Sequence, residues 1–511
     1  MNQIEPQDKF PTFRRIGRKL LRAAKWFGKA LLVLIVVVLV VHGIASFILG
    51  RRLAAKIEAI KAKGGIVALA DFGKPKVPDS ENAALIYAKA FELLSSEQAG
   101  KDLDVLGYSL KPIERAKRPE LWDQACSAVR KYSAVIPIVE EAAKRPKCQY
   151  PINWEAGSGA VLPHLMKIRR LEKLLYWQAV IQARDGKTDD ALHSLQLSFE
   201  VGESLKDEPD IISQMVRTSA TRVSSRALLD VIEQSNLTEA QARSLYDTIG
   251  ERDYAAGFEK AMQCERALGM WTFDMFRRGR PLDLMGTGSP TVLAHPTIAK
   301  GVCYLWRPLL YADELQYLQY MTSLVDHASQ PFRDRGLRAE PEFPWYAFVS
   351  RMISPVFNRA RASTDEAQAS VAGSRILLAL ITYKARYGAY PTNLAELRAK
   401  LGWKIEEDTF SGKDFVYRPK RAGFLLYSVG QNLKDDGART YAERPLPTPA
   451  SPVTPPGMSP GMPPASVGQP ASAPPGPPPG MSPPSTPRAE GYVYKNAKGD
   501  WVADIVWEMD R

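Results

Sequence analysis

The sequence predicts an α+β protein with a single N-terminal transmembrane helix, a large all-α domain and a C-terminal domain in which one helix packs on a small antiparallel sheet. Three observations predict this. An uncharged apolar segment lies near the N-terminus, a long middle region carries apolar residues at helical spacing, and short strand-like segments follow one long amphipathic helix. The predicted units are a basic segment 1–29, a transmembrane helix 30–50, a helical domain 51–362 and a C-terminal domain 363–511.

Composition sets the broad class. The chain has 511 residues, enough for several domains, and its 45% hydrophobic and 24% charged content is ordinary for globular protein. Much of the net charge of +12 lies beside the apolar segment. The basicity therefore indicates a membrane as partner, and no nucleic-acid partner is expected.

The apolar segment runs from Ala30 to Gly50 and contains no charged residue in 21 positions. A helix of that length spans roughly 30 Å of hydrocarbon. The alternative is a cleaved signal peptide. It fits less well because nearly 30 residues precede the segment and the apolar run is longer than a typical signal core.

Basic residues on the two flanks predict the orientation. Eight Lys or Arg residues lie upstream, from Lys9 to Lys29, and five lie downstream, from Arg51 to Lys63. This excess favours a cytoplasmic N-terminus, hence a single-pass inner-membrane protein with its C-terminal bulk in the periplasm. A cytoplasm-facing adaptor is the weaker alternative. His42 lies within the span and is predicted to be a neutral imidazole paired with a backbone group rather than a functional ionisable group.

Four cysteines follow the membrane helix without forming a CxxC pair, so neither a zinc ribbon nor a dithiol redox site is predicted. An exported domain with four cysteines permits one or two disulfides. Free thiols are the favoured interpretation. The residues are Cys126, Cys148, Cys264 and Cys303.

The middle region reads as a series of helices. Ser80 is a predicted N-cap for a first helix, and two further helices meet at a turn containing Gly186. Small residues at Ala179, Ala183 and Ala191 permit close approach in this pair, which resembles a single tetratricopeptide-like hairpin. No second copy occurs at a period of about 34 residues, so a repeat array is not predicted.

Further helices are predicted at 210–234, 238–277 and 306–327. Thr238 and Gln241 have capping-box spacing at the start of the second. The aromatic residues at its end, Trp271, Phe273 and Phe276, are predicted to be core rather than an exposed docking patch.

No catalytic motif is present in the middle region. This region lacks HExxH and GxSxG, and Gly186-Lys187-Thr188 lacks the earlier glycine that a phosphate-binding loop needs. A non-catalytic domain is therefore predicted. The alternative is an enzyme or ligand-binding module, which would require a pocket assembled from scattered residues. The candidates are His164, His193, Glu265, Arg266, His295 and His327.

The C-terminal domain is predicted to begin with a capping box. Ser363 and Glu366 have the required spacing before an apolar helix, which Gly388 and Pro391 end. Strands are predicted at 415–418, 424–429 and 502–507, with residues 419–423 as a hairpin loop between the first two.

The order of four phrases carries a family resemblance. ITYKARYGAYPTNLAEL, DTFSGKDFVYRP, GFLLYSVG and ADIVW together resemble the globular domain of the type II secretion major pseudopilin. The resemblance implies a helix on a small antiparallel sheet and a calcium-binding loop before the last strand. More diffusely, phrases such as SENAALIYAKAF and KDEPDIISQMVR resemble uncharacterised membrane-anchored envelope proteins of planctomycete-like bacteria.

Two features depart from the pseudopilin pattern. No glutamate follows Gly28 where the family has its processed N-terminus, and the membrane helix lies more than 300 residues upstream of the domain. A filament subunit is therefore not expected. In addition, residues 445–487 contain 18 prolines and no charge. This composition predicts a disordered insertion between the last two strands of the sheet.

Calcium is the one cofactor that the resemblance implies. The resemblance implies oxygen ligands at Asp435, Asp436 and Asp504, and carboxylates gathered at one turn are what this hard cation prefers. The favoured interpretation is nevertheless that Asp435-Asp436-Gly437 is a polar turn. No catalytic or cofactor-binding residue is predicted.

The functional prediction follows from these parts. The chain is expected to be a non-enzymatic, membrane-anchored envelope protein whose pseudopilin-like domain serves assembly, scaffolding or contacts with secretion-apparatus proteins. The alternative is that the helical domain is an enzyme or ligand-binding module and that the C-terminal domain is an accessory.

Overall fold

The structure, a computed structural model, describes residues 11–73, 75–107, 119–280, 296–335, 341–354, 357–420, 423–435, 437–438, 494–495, 501–502 and 505–510. It is mostly helical, with a small antiparallel sheet near the C-terminus, in agreement with an α+β class. The first ten α-helices among the described residues are α1 Pro11–Ala62, α2 Ala83–Leu93, α3 Glu97–Asp104, α4 Pro119–Lys131, α5 Val135–Ala143, α6 Pro163–Arg184, α7 Thr188–Glu203, α8 Ile211–Ile232, α9 Glu239–Ile249 and α10 Tyr254–Arg277.

Six further α-helices and five strands follow among the described residues. The helices are α11 Pro296–Leu305, α12 Arg307–Asp326, α13 Phe332–Arg335, α14 Phe348–Ile353, α15 Phe357–Tyr387 and α16 Leu394–Leu401. The strands are β1 Val416–Pro419, β2 Gly423–Ser428, β3 Tyr494–Lys495, β4 Trp501–Val502 and β5 Ile505–Asp510.

Helices α6 and α7 form the antiparallel hairpin that the sequence predicts. Gly186 ends α6 with φ +76°, a conformation that glycine adopts without steric cost. Ala179, Ala183 and Ala191 are buried where the two helices meet. Helix α8 packs against both members of the hairpin, and its N-cap is Asp210, whose side chain accepts bonds from the N–H groups of Ile212 and Ser213.

The helix predicted over 238–277 is two helices. The capping box of Thr238 and Gln241 is confirmed at the start of α9. Gly250, with φ +57°, ends α9, and Asp253 then caps α10. The prediction of one continuous helix was wrong because a left-handed glycine breaks it. Ser80 is likewise not the cap of α2, since Asn82 accepts the N–H of Ala84.

Helix α15 lies at the centre of the body and begins earlier than predicted. It starts at Phe357, so Ser363 and Glu366 lie inside it and do not form a capping box. Both side chains instead bond to Arg222 of α8, at 3.0 and 2.9 Å. The helix ends at Tyr387, and Gly388 follows with φ +80°, as predicted.

Buried residues of α15 belong to the same hydrophobic cluster as those of α2–α9. Helix α15 packs on α8, α9 and α10, and it also contacts strands β2 and β5. The segments before and after residue 363 therefore share a core. A second cluster joins α1, α10, α12 and α14. Phe273 and Phe276 are buried in it, which confirms them as core, and Trp271 is partly buried.

The sheet has the order β1-β2-β5, with both pairings antiparallel. In the second pairing, Gly423 lies opposite Asp510 and Ser428 opposite Ile505. Strands β3 and β4 pair separately. The insertion 445–487, predicted to be disordered, lies outside the described residues. The four cysteines are described and are all free thiols.

Candidate functional sites

Helix α1 changes character along its length. Its large apolar side chains from Leu31 to Ile48 are between 45% and 65% exposed. Beyond Gly50 the same helix packs into the body, where Leu53 and Ile60 are 5% and 4% exposed and contact the cluster built on α10 and α12. The part from residue 25 to 62 is long and apolar enough to cross a membrane.

A layer of buried charge lies between α7, α8 and α10. Arg217 of α8, 2% exposed, forms a two-bond pair with Glu203 at 3.0 and 2.9 Å, and its guanidinium lies 4.3 Å from the ring centroid of Tyr254. Arg252 also reaches Glu203, at 3.2 Å. The layer fixes three helices relative to one another, because a buried ion left without its partner would be costly.

Glu172 of α6 is a buried carboxyl that interacts with Arg252 of this layer. It is buried, its carboxylate accepts a bond from Ser198 at 2.9 Å, and burial raises its pKa well above the usual range. The bond from Ser198 joins α6 to α7 through this buried group.

A cluster of titratable side chains lies where α6, α8 and α10 converge. The Nε2 atom of His164 is 2.9 and 3.1 Å from the two carboxylate oxygens of Glu208, and its ring stacks on Tyr150 with centroids 4.3 Å apart. Asp210 lies two residues after Glu208 in the chain. Burial, together with the negative charge of Asp210, raises the pKa of Glu265 to about 7. A carboxyl with that pKa can exchange a proton near neutral pH.

The neighbouring thiol is not a nucleophile. Burial raises the pKa of Cys264 well above its usual range, so the side chain stays a thiol at neutral pH. Burial likewise raises the pKa of Asp210, against the bonds it accepts from the N–H groups of Ser213 and Ile212. The sequence singled out His164 and Glu265. It missed Glu208 and Asp210, although the acidic run before α8 and its N-cap position were the available signals.

The structure does not gather the predicted histidines. His193 lies 2.9 Å from Glu140 of α5, and Nδ1 of His327 is 2.6 Å from the carbonyl of Ser323. His164 bonds to Glu208, as above, and His295 lies outside the described residues. Arg266 is buried and donates to the carbonyl of Ile66 at 3.5 Å. The described histidines thus have separate partners on separate elements.

The predicted calcium site is only partly described, since Asp436 and Asp504 lie outside the described residues. The carboxylate of Asp435 accepts bonds from the hydroxyl of Tyr427 at 2.6 Å, the N–H of Gly437 at 2.8 Å and Arg418 at 2.9 Å. The bond from Tyr427 in particular lowers its pKa. Its oxygens already have donors, as in a polar turn. Among the described residues there is no group of three or more side chains placed to hold a metal ion.

Comparison of the chain with protein-family models, with curated proteins and with solved structures gave no match.

Proposed function

We propose that this protein is a single-span, non-enzymatic envelope protein. In this proposal α1 anchors a rigid helical body to the membrane, and the pseudopilin-like part, α15 with the β1-β2-β5 sheet, presents a surface for assembly or for secretion-apparatus proteins. The observation that carries it is the change along α1 from exposed apolar side chains before Gly50 to Leu53 and Ile60 buried in the body. Such a helix couples an anchor to a body without a flexible linker.

The proposed location is the inner membrane, with the bulk of the protein in the periplasm. The excess of basic residues before the span supports this orientation. A reporter active only in the periplasm, fused after Arg511, is expected to be active. An active cytoplasmic reporter at the same position would contradict the orientation while leaving the anchor intact.

Membrane extraction tests the anchor. We expect the full chain to remain in the membrane pellet after alkaline carbonate treatment and to be released by detergent. Replacing Val37 by Arg places a charge at the centre of the apolar segment, at a cost of about 3 kcal/mol, and should weaken retention. Lys29→Arg, on the flank of the segment, is the matched control and should leave retention in the membrane pellet unchanged. Release of the unaltered chain by carbonate would refute the proposal.

Crosslinking tests the presenting surface. A photoreactive residue at Lys413, exposed beside the sheet, should give adducts of defined mass in native membranes. The same residue at Lys89, exposed on α2, should not. If neither position gives an adduct, the assembly role is wrong.

A second function is favoured by one feature of this region: burial and the charge of Asp210 raise the pKa of Glu265 to about 7. A proton-exchanging group of this kind suits an enzyme or a ligand-binding module. Under that alternative Glu265→Gln would abolish the cellular role of the protein. Under the scaffold proposal it would leave the Lys413 adducts unchanged.

A further inference from the structure

Helices α11 and α12 meet at Trp306, and this junction, called the tip below, lies against the apolar part of α1. Nε2 of His42 is 3.0 Å from the carbonyl oxygen of Tyr304, near the end of α11. Further along, the ring of Tyr311 in α12 packs against Gly50, 3.4 Å from where a β-carbon would stand. The contacts advance in the same direction on both helices, so α12 starts at the level of His42 and runs outward beside α1.

The position of His42 sets the depth of the tip. It lies eight residues before Gly50, where the apolar segment ends, and at 1.5 Å per residue this is about 12 Å along the helix. One leaflet contributes about 15 Å of hydrocarbon. If α1 spans the bilayer, Tyr304 therefore lies within the acyl-chain region of the leaflet that α1 leaves.

The tip carries apolar side chains that the protein does not cover. Val302, Tyr304, Leu305 and Trp306 are 38%, 56%, 63% and 43% exposed. The ring of Trp306 meets that of Phe348 in α14, itself 40% exposed, with centroids 6.0 Å apart. This apolar surface continues that of the exposed span of α1, and such a patch suits lipid better than water.

The backbone of the tip is completed by His42. In a continuous helix the carbonyl of Tyr304 would accept the N–H four residues later, but that residue is Pro308, which has none. The Nε2–H tautomer of His42 donates to this carbonyl instead. Water would serve equally well at an exposed site, whereas within hydrocarbon an unpaired carbonyl costs several kcal/mol.

The one charged side chain at the turn points away from the tip. Arg307 donates from Nε to the hydroxyl of Tyr311 at 3.1 Å. Because Tyr311 packs at Gly50, this bond draws the guanidinium toward the end of the apolar segment. A cation near hydrocarbon is expected to reach toward the headgroups in this way.

We propose that the α11–α12 tip, residues 302–306, is inserted among the acyl chains of the leaflet that α1 leaves, with His42 as the residue that positions it. The inference rests on the proposed anchoring by α1. The protein then contacts the bilayer through two elements, and the body is held in one orientation relative to the membrane surface.

Depth measurement tests the tip. A nitroxide label is placed at Leu305 of the full chain, with the four cysteines changed to serine, in phosphatidylcholine–phosphatidylglycerol vesicles. Collision with oxygen is expected to exceed collision with an aqueous nickel chelate by severalfold, as for a label at Val40 in the span. A label at Met166, 53% exposed on α6, is the matched control and should favour the aqueous relaxer.

The outcomes separate the two proposals. An aqueous label at Leu305 with a lipid-facing label at Val40 would overturn the insertion and leave the anchor standing. An aqueous label at Val40 would overturn the anchor. Dipolar coupling between Leu305 labels would show a second copy on the tip and also overturn the insertion.

Substitution of His42 tests its positioning role. His42→Leu removes the donor, and the label at Leu305 should move toward the aqueous phase. His42→Gln keeps an N–H donor and should restore the depth. Equal depth in both variants would exclude a role for His42 in holding the tip.

Discussion

Buried carboxyl groups in this protein are stabilised in two ways. Glu203 pairs with Arg217 and Arg252, whereas Glu172 bonds to Ser198 and burial raises its pKa well above the usual range. Glu265 lies between these cases, since burial and Asp210 raise its pKa to about 7. Near neutral pH a small change in conditions therefore alters its charge.

This shift predicts a pH dependence of stability. Between about pH 4.5 and pH 7 the folded protein holds a proton on Glu265 that the unfolded chain releases, so the free energy of unfolding falls as pH rises through that window. Glu265→Gln removes this contribution. Between about pH 5 and pH 8 the free energy of unfolding of the variant should rise by on the order of 2 kcal/mol relative to that of the unaltered protein.

Thermal unfolding of the detergent-solubilised full chain across this pH range measures the difference. Glu92→Gln, at an exposed position of α2, is the control and should leave the pH profile unchanged. A Glu265→Gln profile parallel to that of the unaltered protein would show that Glu265 does not titrate in this window.

Among the elements, α15 is the one that other parts of the fold organise around. Arg222 of α8 bonds to both Ser363 and Glu366, and Gln431, which follows β2, donates to the other oxygen of Glu366 at 3.2 Å. One carboxyl thus ties α8, α15 and the end of the sheet together. Burial raises its pKa to about 7, against the opposing effect of Arg222.

The elements also show how far the sequence is informative. The α6–α7 hairpin was predictable because Gly186 and the alanines that decide it lie close together in the chain. The start of α15 was not, since the hydroxyl of Ser363 is bound by Arg222, 141 residues away. Local spacing could not predict the contact of His42 with Tyr304, which joins residues 262 apart. Of the cluster of titratable side chains, the sequence offered His164 as a candidate but not its partner Glu208.

A double-mutant cycle measures the tie between α8 and α15. Arg222→Gln should lower the free energy of unfolding by about 2 kcal/mol. The loss is smaller than it would be if Glu366 always stayed charged, because this buried carboxyl can take up a proton. The variant that also carries Glu366→Gln should recover about half of that loss. Asp247→Asn, which breaks the exposed pair with Arg243, is the control and should cost under about 0.5 kcal/mol. Additive effects at Arg222 and Glu366 would rule out the coupling.

On the scale of the whole molecule, the last described strand completes the sheet. Strand β5, ending at Asp510, pairs with β2 across a connection that includes the proline-rich insertion. The sheet contacts α15, which packs in turn on α8, α9 and α10. The C-terminal segment is therefore part of the same body as the end of α1. The pairing of β5 with β2 has to form across a long connection.

Deletion of residues 445–487 tests whether the insertion contributes to this closure. The deletion more than halves the connection between β2 and β5, and loop-closure entropy changes by about 0.6 kcal/mol for each doubling of length. We expect the free energy of unfolding to rise by about that amount, with the β2–β5 amides equally protected from hydrogen exchange. A Gly/Ser segment of equal length in place of 445–487 should leave stability unchanged, because only length enters this term. A loss of more than about 1 kcal/mol on deletion, or loss of amide protection in Leu425 and Leu426, would mean that the insertion packs against the body and helps to hold β5 in place.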